Sequence, residues 1–450
     1  CSKRTMLHTA VSILCQLVIF SDKKSFASAQ LDVIYEWKYI DYDWISTEQK
    51  NAAISGNRYD YTKIFTIDVQ SVQMDFFVTT PAFNPNAVPA SLSTVSRKRG
   101  PGGPLLQPYP NWNWYKPGDC NGITSVWRVA VDACDRLWVL DSGRIGDNQV
   151  CPAQILIFDL KTDILEQRIR IPSDVSQNSQ NKTLGLLITI AYLADTEGGA
   201  LVVVHGSRSW RIENDIFNPV QAASDFTIAG ESFNLPDGLF ALGVSPRMST
   251  IRRRLYFRPL ASYREHSFLI DDLHRSEYSN INPRYTTAEY RYPSQITSHS
   301  FSKDGILFFG LISEIAIACW NINTPMNNDN VVIVAQNNET LQFASGVKVT
   351  KSTYNRENLW ITTNRFQKIA NGNQNFGEIN YRILTGPVDS LVRGSRSYRH
   401  SDNRITPTPA YINFHTLTEN WSVSGAVVGR DIIDVGIMVV NDQTVNGYCF

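Results

Sequence analysis

The chain has 450 residues, of which 43% are hydrophobic and 11% aromatic, which is ample material for a large buried core. Its 42 basic residues balance its 42 acidic residues, so no net field favours nucleic acid or an anionic membrane as a partner. These numbers leave the oligomeric state open.

The first 29 residues are predicted to be a secretory signal peptide. Lys3 and Arg4 precede an apolar stretch at residues 10–20, and Ala27-Ser28-Ala29 offers a cleavage site of small residues. The apolar stretch is too short to span a bilayer, which takes about 20 residues. We expect translation to start at Met6, and residues 30–450 to form one secreted, extracellular domain.

Six short hydrophobic segments recur along the rest of the chain at nearly even spacing. They are residues 75–78, 136–139, 200–203, 254–257, 306–309 and 358–361, and the steps between them are 61, 64, 54, 52 and 52 residues. Each follows another apolar run, and most precede a further one, so the repeating unit has three or four short strands. Because solenoid repeats are shorter, at about 20–45 residues, the pattern predicts an all-β, six-bladed β-propeller.

Strand positions within the repeat follow from this pattern. The inner strands are expected within residues 63–69, 125–132, 184–193, 239–246, 295–302 and 343–350, and the six recurring segments are then the second strands. We expect residues 31–40 to pair with late strands near residues 426–441 and so close the ring.

Cysteines and sequons agree with export. Cys120 precedes the second inner strand and Cys151 lies in the loop after the next strand, on the same face of the blade, so these two are the predicted disulfide. Cys134, Cys319 and Cys449 stay unassigned, and no CxxC spacing suggests a metal site. The glycosylation sequons begin at Asn181, Asn338 and Asn420.

Several segments resemble the insect yellow/major royal jelly protein family. They are residues 35–41, 88–92, 106–112, 118–126, 135–143, 307–311, 319–321 and 375–384. The resemblance implies a secreted six-bladed propeller. It leaves activity open, since the family includes binders of biogenic amines, proteins linked to melanin formation and dopachrome conversion, and storage proteins.

The channel mouth is the expected binding site, because residues before the inner strands and after the second strands of a propeller meet there. The predicted ring is Thr79, Asn121, Asp141, Ser142, His205, Asp237, Phe240, Gln295, Phe343, Thr363 and Asn364. A carboxylate beside an aromatic face suits an ammonium ion, which indicates a small aromatic amine or a catechol as ligand. The predicted ligand-binding residues are Asp237, Phe240, Thr363, Asn364, Asn380 and Tyr381; the resemblance points to the same two segments.

Two further functions remain open. An isomerase that converts dopachrome would need an acid and a base, for which His205 with Asp141 or Asp237 are the candidates. A metal-dependent hydrolase could hold a channel calcium ion with Asn121, Asp141, Asp237 and Asn364, although no cofactor is expected for the favoured function. Each candidate also has a structural alternative, such as turn capping for the aspartates and inter-blade packing for Phe240 and Phe343. No recognisable catalytic motif decides between them, and no nutrient-rich tail suggests storage.

Overall fold

The computed structural model describes residues 31–393, apart from residues 74, 190–191, 207, 250, 279–281 and 352–355. The predicted signal peptide, the sequon at Asn420, Cys449 and residues 426–441 lie outside the described residues.

Six antiparallel sheets follow one another along the chain, and the first strands of neighbouring sheets pack against each other around a central channel. This confirms the predicted six-bladed β-propeller. Counted outward from the channel, the strands of the blades are Asp68–Val72, Asp75–Thr79, Leu92–Gly100 and Gly103–Pro108 in blade 1; Val126–Val131, Arg136–Asp141, Gln154–Asp159 and Ile164–Arg170 in blade 2; Tyr192–Asp195, Ala200–His205 and Arg208–Glu213 in blade 3; Leu239–Val244, Arg254–Pro259, His266–Leu269 and Tyr285–Thr287 in blade 4; Ile296–Phe301, Ile306–Leu311, Ala316–Asn321 and Val332–Gln336 in blade 5; and Phe343–Lys351, Glu357–Asn364, Tyr381–Pro387 and Asp32–Trp37 in blade 6.

The second strands are continuous apolar runs because both faces of a blade are covered by its neighbours. All six residues of Ile306–Leu311 are buried, and so are all six of Ala316–Asn321 beside it. A sheet with one face in water would instead alternate apolar and polar residues. We call the face where second strands end and inner strands begin the front face; Thr79, Asp141 and Asn364 end strands there.

Blade 3 corrects the predicted strand order. The segment 200–203 was expected in its second strand, but Ala200–His205 pairs with Tyr192–Asp195, which itself pairs with a short segment at residues 186–189 nearer the channel. Thr196 donates to the carbonyl of Leu186 at 3.1 Å, as Ser142 donates to that of Ser125 at 2.9 Å in blade 2. Tyr192–Asp195 is therefore the second strand and Ala200–His205 the third.

The ring closes between the N-terminal strand and blade 6. Asp32–Trp37 pairs antiparallel with Tyr381–Pro387, from Asp32 opposite Thr385 to Trp37 opposite Tyr381. The buried indole of Trp37 donates to the carbonyl of Pro104 in blade 1, at 2.6 Å, and so links the first and last blades. Closure by the N-terminal strand is as predicted, with this strand of blade 6 as its partner; the expected partner at residues 426–441 lies outside the described residues.

Short helices and hairpins lie in the connections. The helices are Thr47–Ser55, Ser173–Ser176, Ile270–Arg275, Phe366–Ala370 and Val388–Val392; the 3₁₀ turns are Tyr61–Lys63, Trp112–Trp114, Asp215–Phe217 and Gln221–Ala223; the hairpins join Arg144–Ile145 to Asn148–Gln149 and Asp225–Ile228 to Glu231–Asn234. None of the helices in the described part of the chain is long and apolar enough to cross a membrane.

The predicted disulfide is present. Cys120 and Cys151 are bonded and tie the connection into blade 2 to the hairpin loop of that blade. Cys134 is also disulfide-bonded, and Cys319 is fully buried in blade 5.

Candidate functional site

Aromatic side chains cluster on the front face, where the inner strands of blades 1 and 6 begin. Phe343 begins the inner strand of blade 6 and stacks on Phe366 with ring centroids 5.0 Å apart. Phe366 also contacts Phe65, which precedes the inner strand of blade 1, and Phe233 of the hairpin before blade 4. We call Phe65, Phe233, Phe343 and Phe366 the aromatic wall.

Buried polar atoms beside the aromatic wall are short of partners. The side-chain nitrogen of Asn364 donates to the carbonyl of Thr66 at 2.9 Å, and that of Gln367 donates to the side-chain oxygen of Gln342 at 2.7 Å. The amide oxygens of Asn364 and Gln367 and the hydroxyl of Thr66 have no hydrogen-bond partner among the described residues. A buried acceptor without a donor costs about 1–3 kcal/mol, so a ligand that donates hydrogen bonds is favoured here.

Asp237 supplies a carboxylate on the blade 4 side of the front face. The side chain is half-buried, and burial raises its pKa to about 7, with Glu197 nearby adding to the rise. Glu197 itself is paired with the buried guanidinium of Arg144. An ammonium group placed against Asp237 would favour its ionised form, because a nearby opposite charge stabilises a carboxylate.

Phe240 does not offer its ring to a ligand, contrary to prediction. The guanidinium of Arg128, from blade 2, lies 5.3 Å from the ring centroid of Phe240 and takes the place expected for a ligand cation. Arg128 also pairs with Asp68 of blade 1 at 3.4 Å, and Lys348 of blade 6 binds the same carboxylate. This ion network links blades 1, 2 and 6 inside the ring.

A strap crosses the mouth on its blade 5 side. It consists of the helix Phe366–Ala370 and the hairpin Asp225–Asn234, which are joined by Lys368 and Glu231 at 2.7 Å and by Asn373 and Glu231 at 2.9 Å. Gln295, at the start of the blade 5 inner strand, holds the hairpin by donating to the carbonyls of Ala223 and Asp225. The strap therefore carries Phe366 and Gln367 to the mouth.

Three of the predicted ligand-binding residues donate side-chain hydrogen bonds to backbone carbonyls instead. The hydroxyl of Thr363 donates to the carbonyl of Thr340 at 2.9 Å. The amide of Asn380 donates to three carbonyls, including that of Lys38, and the hydroxyl of Tyr381 donates to the carbonyl of Ile64 at 2.7 Å. The Tyr381 ring is fully buried, so this side chain belongs to the core. Of the six predicted positions, Asp237 and Asn364 keep the properties of a binding residue.

The proposed acid–base pair is not assembled. His205 ends the third strand of blade 3, so it lies on the back face, where its ring stacks on His274 at 5.3 Å. Asp141 ends a second strand on the front face, and its carboxylate accepts from the backbone of Thr124, Ser125 and Gly143 at 2.8–3.0 Å. The pairing of His205 with Asp141 or Asp237 is therefore wrong, and Asp141 caps a turn.

The predicted calcium ligands are also apart. The side chain of Asn121 accepts a hydrogen bond from Arg170 on the outer strand of blade 2, and Asn364 lies on blade 6. The carboxylate of Asp141 already accepts hydrogen bonds from backbone N–H groups. Within the described ranges, no group of three or more His, Cys, Asp or Glu side chains could hold a metal ion. The four residues do not form the coordination shell that Ca²⁺ requires.

Sequence comparison identifies the family. The family model for the major royal jelly proteins matches residues 124–397, more than half of the chain. The chain belongs to the yellow/major royal jelly protein family. It is 38% identical to major royal jelly protein 9 of Apis mellifera, with 86% of this chain and 94% of the relative covered, and 36% identical to major royal jelly protein 6 of the same species, with 91% and 98% covered.

Solved structures add little to this assignment. The chain is similar to a streptogramin B lyase, at 11% identity and a TM-score of 0.35 with 72% of this chain and 79% of the other covered. It is also similar to a calcium-binding regucalcin of Agrobacterium tumefaciens, at 11% identity and a TM-score of 0.36 with 72% and 90% covered. Likeness at this level carries no functional inference.

Several residues of the mouth were not predicted from the sequence. Phe366 and Gln367 follow Asn364 closely in the sequence, and their position just after the second strand of blade 6 was the signal for them. Arg128 and Lys348 stand within apolar inner strands, and a charge in such a strand is a signal that it needs a partner across the channel.

Proposed function

We propose that the chain is a secreted propeller that binds a small aromatic amine or catechol at the channel mouth. The observation that carries this is the pair of buried amide oxygens of Asn364 and Gln367, which have no donor among the described residues and lie next to the stacked rings of Phe343 and Phe366. Hydrogen-bond acceptors without donors favour a ligand that donates hydrogen bonds, and the aromatic rings favour a ligand with a flat apolar body.

The carboxylate of Asp237 supports the amine part of the proposal. It lies on the same face, and the hairpin just before it packs Phe233 against Phe366 with ring centroids 5.6 Å apart. A ligand ring held by the aromatic wall would direct its hydroxyl groups to Asn364 and its ammonium group toward the side of Asp237. Catechols and aromatic amines are also the precursors of melanin, so a role in pigmentation is part of the proposal.

The test is calorimetric titration with dopamine of three variants: Asn364→Ala, Gln367→Ala and Asp237→Asn. Each should weaken binding by about 1–3 kcal/mol, the worth of a buried charge-assisted or acceptor hydrogen bond. Asp271→Asn is the matched control, because Asp271 is exposed and pairs with Arg252 in another part of blade 4. Unchanged affinity in all three variants would refute this placement of the site.

One observation favours a second function. A carboxyl whose pKa is raised to about 7 can both take and return a proton near neutral pH, and Asp237 has this property. We propose dopachrome isomerisation as the second candidate, with Asp237 as the acid–base group. Loss of dopachrome colour catalysed by the protein, and abolished by Asp237→Asn but not by Asp271→Asn, would favour the enzyme over the binder.

Secretion is supported by a disulfide and by accessible sequons. Oxidised Cys120 and Cys151 suit an export compartment, and both Asn181 and Asn338 are exposed. Expression in insect cells should release the chain into the medium with a mass that falls on treatment with a glycosidase. Retention inside the cells would contradict this part of the proposal.

A further inference from the structure

A cavity of about 390 Å³ opens on the front face between the loops of blades 1 and 2. Its walls come from the helix Thr47–Ser55, the loop after the second strand of blade 1, the connection into blade 2 and the hairpin loop that ends at Cys151. It is separate from the channel mouth, because Phe83 turns its ring toward Phe65 and Trp127, whereas its neighbours Ala82 and Asn84 line the cavity.

The inner part of the cavity is apolar and aromatic. Trp44 and Trp112 line it as a stacked pair with ring centroids 4.9 Å apart, together with Tyr115. Their polar atoms are satisfied by groups behind the wall: Trp44 donates to Asp41 at 2.9 Å, and the hydroxyl of Tyr115 donates to the carbonyl of Leu92 at 2.7 Å. The surface left to a ligand is therefore mostly hydrocarbon and ring.

The rim of the cavity has an excess of positive charge. Arg58 and Lys116 both line it, and neither has a carboxylate partner within the part of the chain that the structure describes. Asp119, the acidic residue of the lining, accepts from the backbone of Asn121 at 2.9 Å and faces the charge of Arg168. Two cations above an aromatic pocket match a ligand with a flat apolar body and a carboxylate.

We propose that this cavity binds a small aromatic carboxylic acid, independently of the amine site at the channel mouth. The volume falls within the range of about 300–1,000 Å³ that ligand sites occupy. The disulfide between Cys120 and Cys151 joins the two loops that form the outer wall, so the cavity is shaped before a ligand arrives. The ring of the ligand packs against Trp112 and Tyr115, and its carboxylate lies at the rim between Arg58 and Lys116.

The test uses two probes that share a ring and differ in charge, indole-3-acetate and tryptamine. Calorimetry with residues 30–450 should show saturable binding of indole-3-acetate. The double variant Arg58→Glu with Lys116→Glu should weaken it about tenfold, because reversing both charges replaces an attraction at the exposed rim with a repulsion. Val150→Trp, at an exposed position of the lining, should abolish binding by filling the cavity. Lys161→Glu is the control, an exposed charge in a turn remote from the cavity.

Failure of this proposal is distinguishable from failure of the amine site. Tryptamine should bind with equal affinity to the native chain and to both cavity variants, and Asn364→Ala should leave indole-3-acetate unaffected. Absence of indole-3-acetate binding, or binding that survives both the charge reversal and Val150→Trp, would overturn the proposal. Loss of indole-3-acetate binding in Asn364→Ala would place the acid at the channel mouth instead, and would overturn it as well.

Discussion

Binding of an aromatic amine is predicted to strengthen as the pH rises through neutrality. Burial raises the pKa of Asp237 to about 7, so the carboxyl is mostly protonated in mildly acidic solution. The ammonium group of the ligand, with an ordinary pKa of about 10, stays charged throughout. If only the carboxylate form of Asp237 binds the ammonium, protons and ligand compete for the same group.

The size of this effect follows from the pKa. The carboxylate fraction of a group with a pKa of about 7 is about 1% at pH ~5 and about 90% at pH ~8. Because the apparent dissociation constant is the intrinsic one divided by that fraction, affinity at the lower pH should be about 90-fold weaker. By the same linkage, the bound ammonium group lowers the pKa of Asp237 in the complex, because the ligand and the proton compete for the carboxylate.

The assay is calorimetric titration with tyramine, which lacks the oxidisable second hydroxyl of dopamine, at pH ~5, ~6, ~7 and ~8. The native chain should follow the curve described above. Asp237→Asn should bind weakly at every pH with no slope, and Asp271→Asn should keep the native slope. Equal affinity of the native chain at the lowest and highest pH would refute the role of Asp237.

Four further predictions concern the scaffold, each measured by denaturant unfolding. Trp37→Ala should lower the free energy of unfolding by about 3–5 kcal/mol, because it empties a buried site in the closing strand, whereas the exposed Val33→Ala should change it little. Asp68→Ala should cost about 3–5 kcal/mol, since it leaves the buried Arg128 and the partly buried Lys348 without their shared carboxylate. Cys151→Ser should cost about 2–4 kcal/mol, and an unchanged midpoint would mean that the disulfide does not constrain the unfolded chain. Glu265 is buried, which raises its pKa from 4.5 to about 7; the folded state resists its ionisation, so the native chain should lose about 3 kcal/mol relative to Glu265→Gln between pH ~4.5 and ~7, and a constant difference would contradict this.

The fold was predictable because propeller blades repeat the same burial pattern. Residues such as Leu307 and Leu359 stand in second strands covered on both faces, and this leaves a continuous apolar run in the sequence at each repeat. The third blade was misplaced because residues 184–193 read as one apolar strand, whereas a short bridged segment at residues 186–189 is followed by a separate strand, Tyr192–Asp195. Asp195 was the available signal for the end of the second strand of blade 3. Its carboxylate caps a turn as that of Asp141 does in blade 2, and both residues are followed closely by a glycine.

The site was less predictable, because its properties depend on contacts between distant segments. Asn364 and Asp237 could be placed at the mouth from strand ends alone. No local sequence pattern predicts that the guanidinium of Arg128 lies over the ring of Phe240. The same is true of the three backbone carbonyls to which the amide of Asn380 donates, because these contacts join segments that are distant in the sequence. The strap that brings Gln367 to the mouth likewise joins segments 137 residues apart, at Lys368 and Glu231.

The most direct test of the central claim is a calorimetric titration of residues 30–450 with dopamine, in calcium-free buffer. The amine site at the channel mouth predicts saturable binding at micromolar affinity or better, which Asn364→Ala weakens. No heat at several temperatures, or binding that is unchanged in Asn364→Ala, would contradict the proposed site.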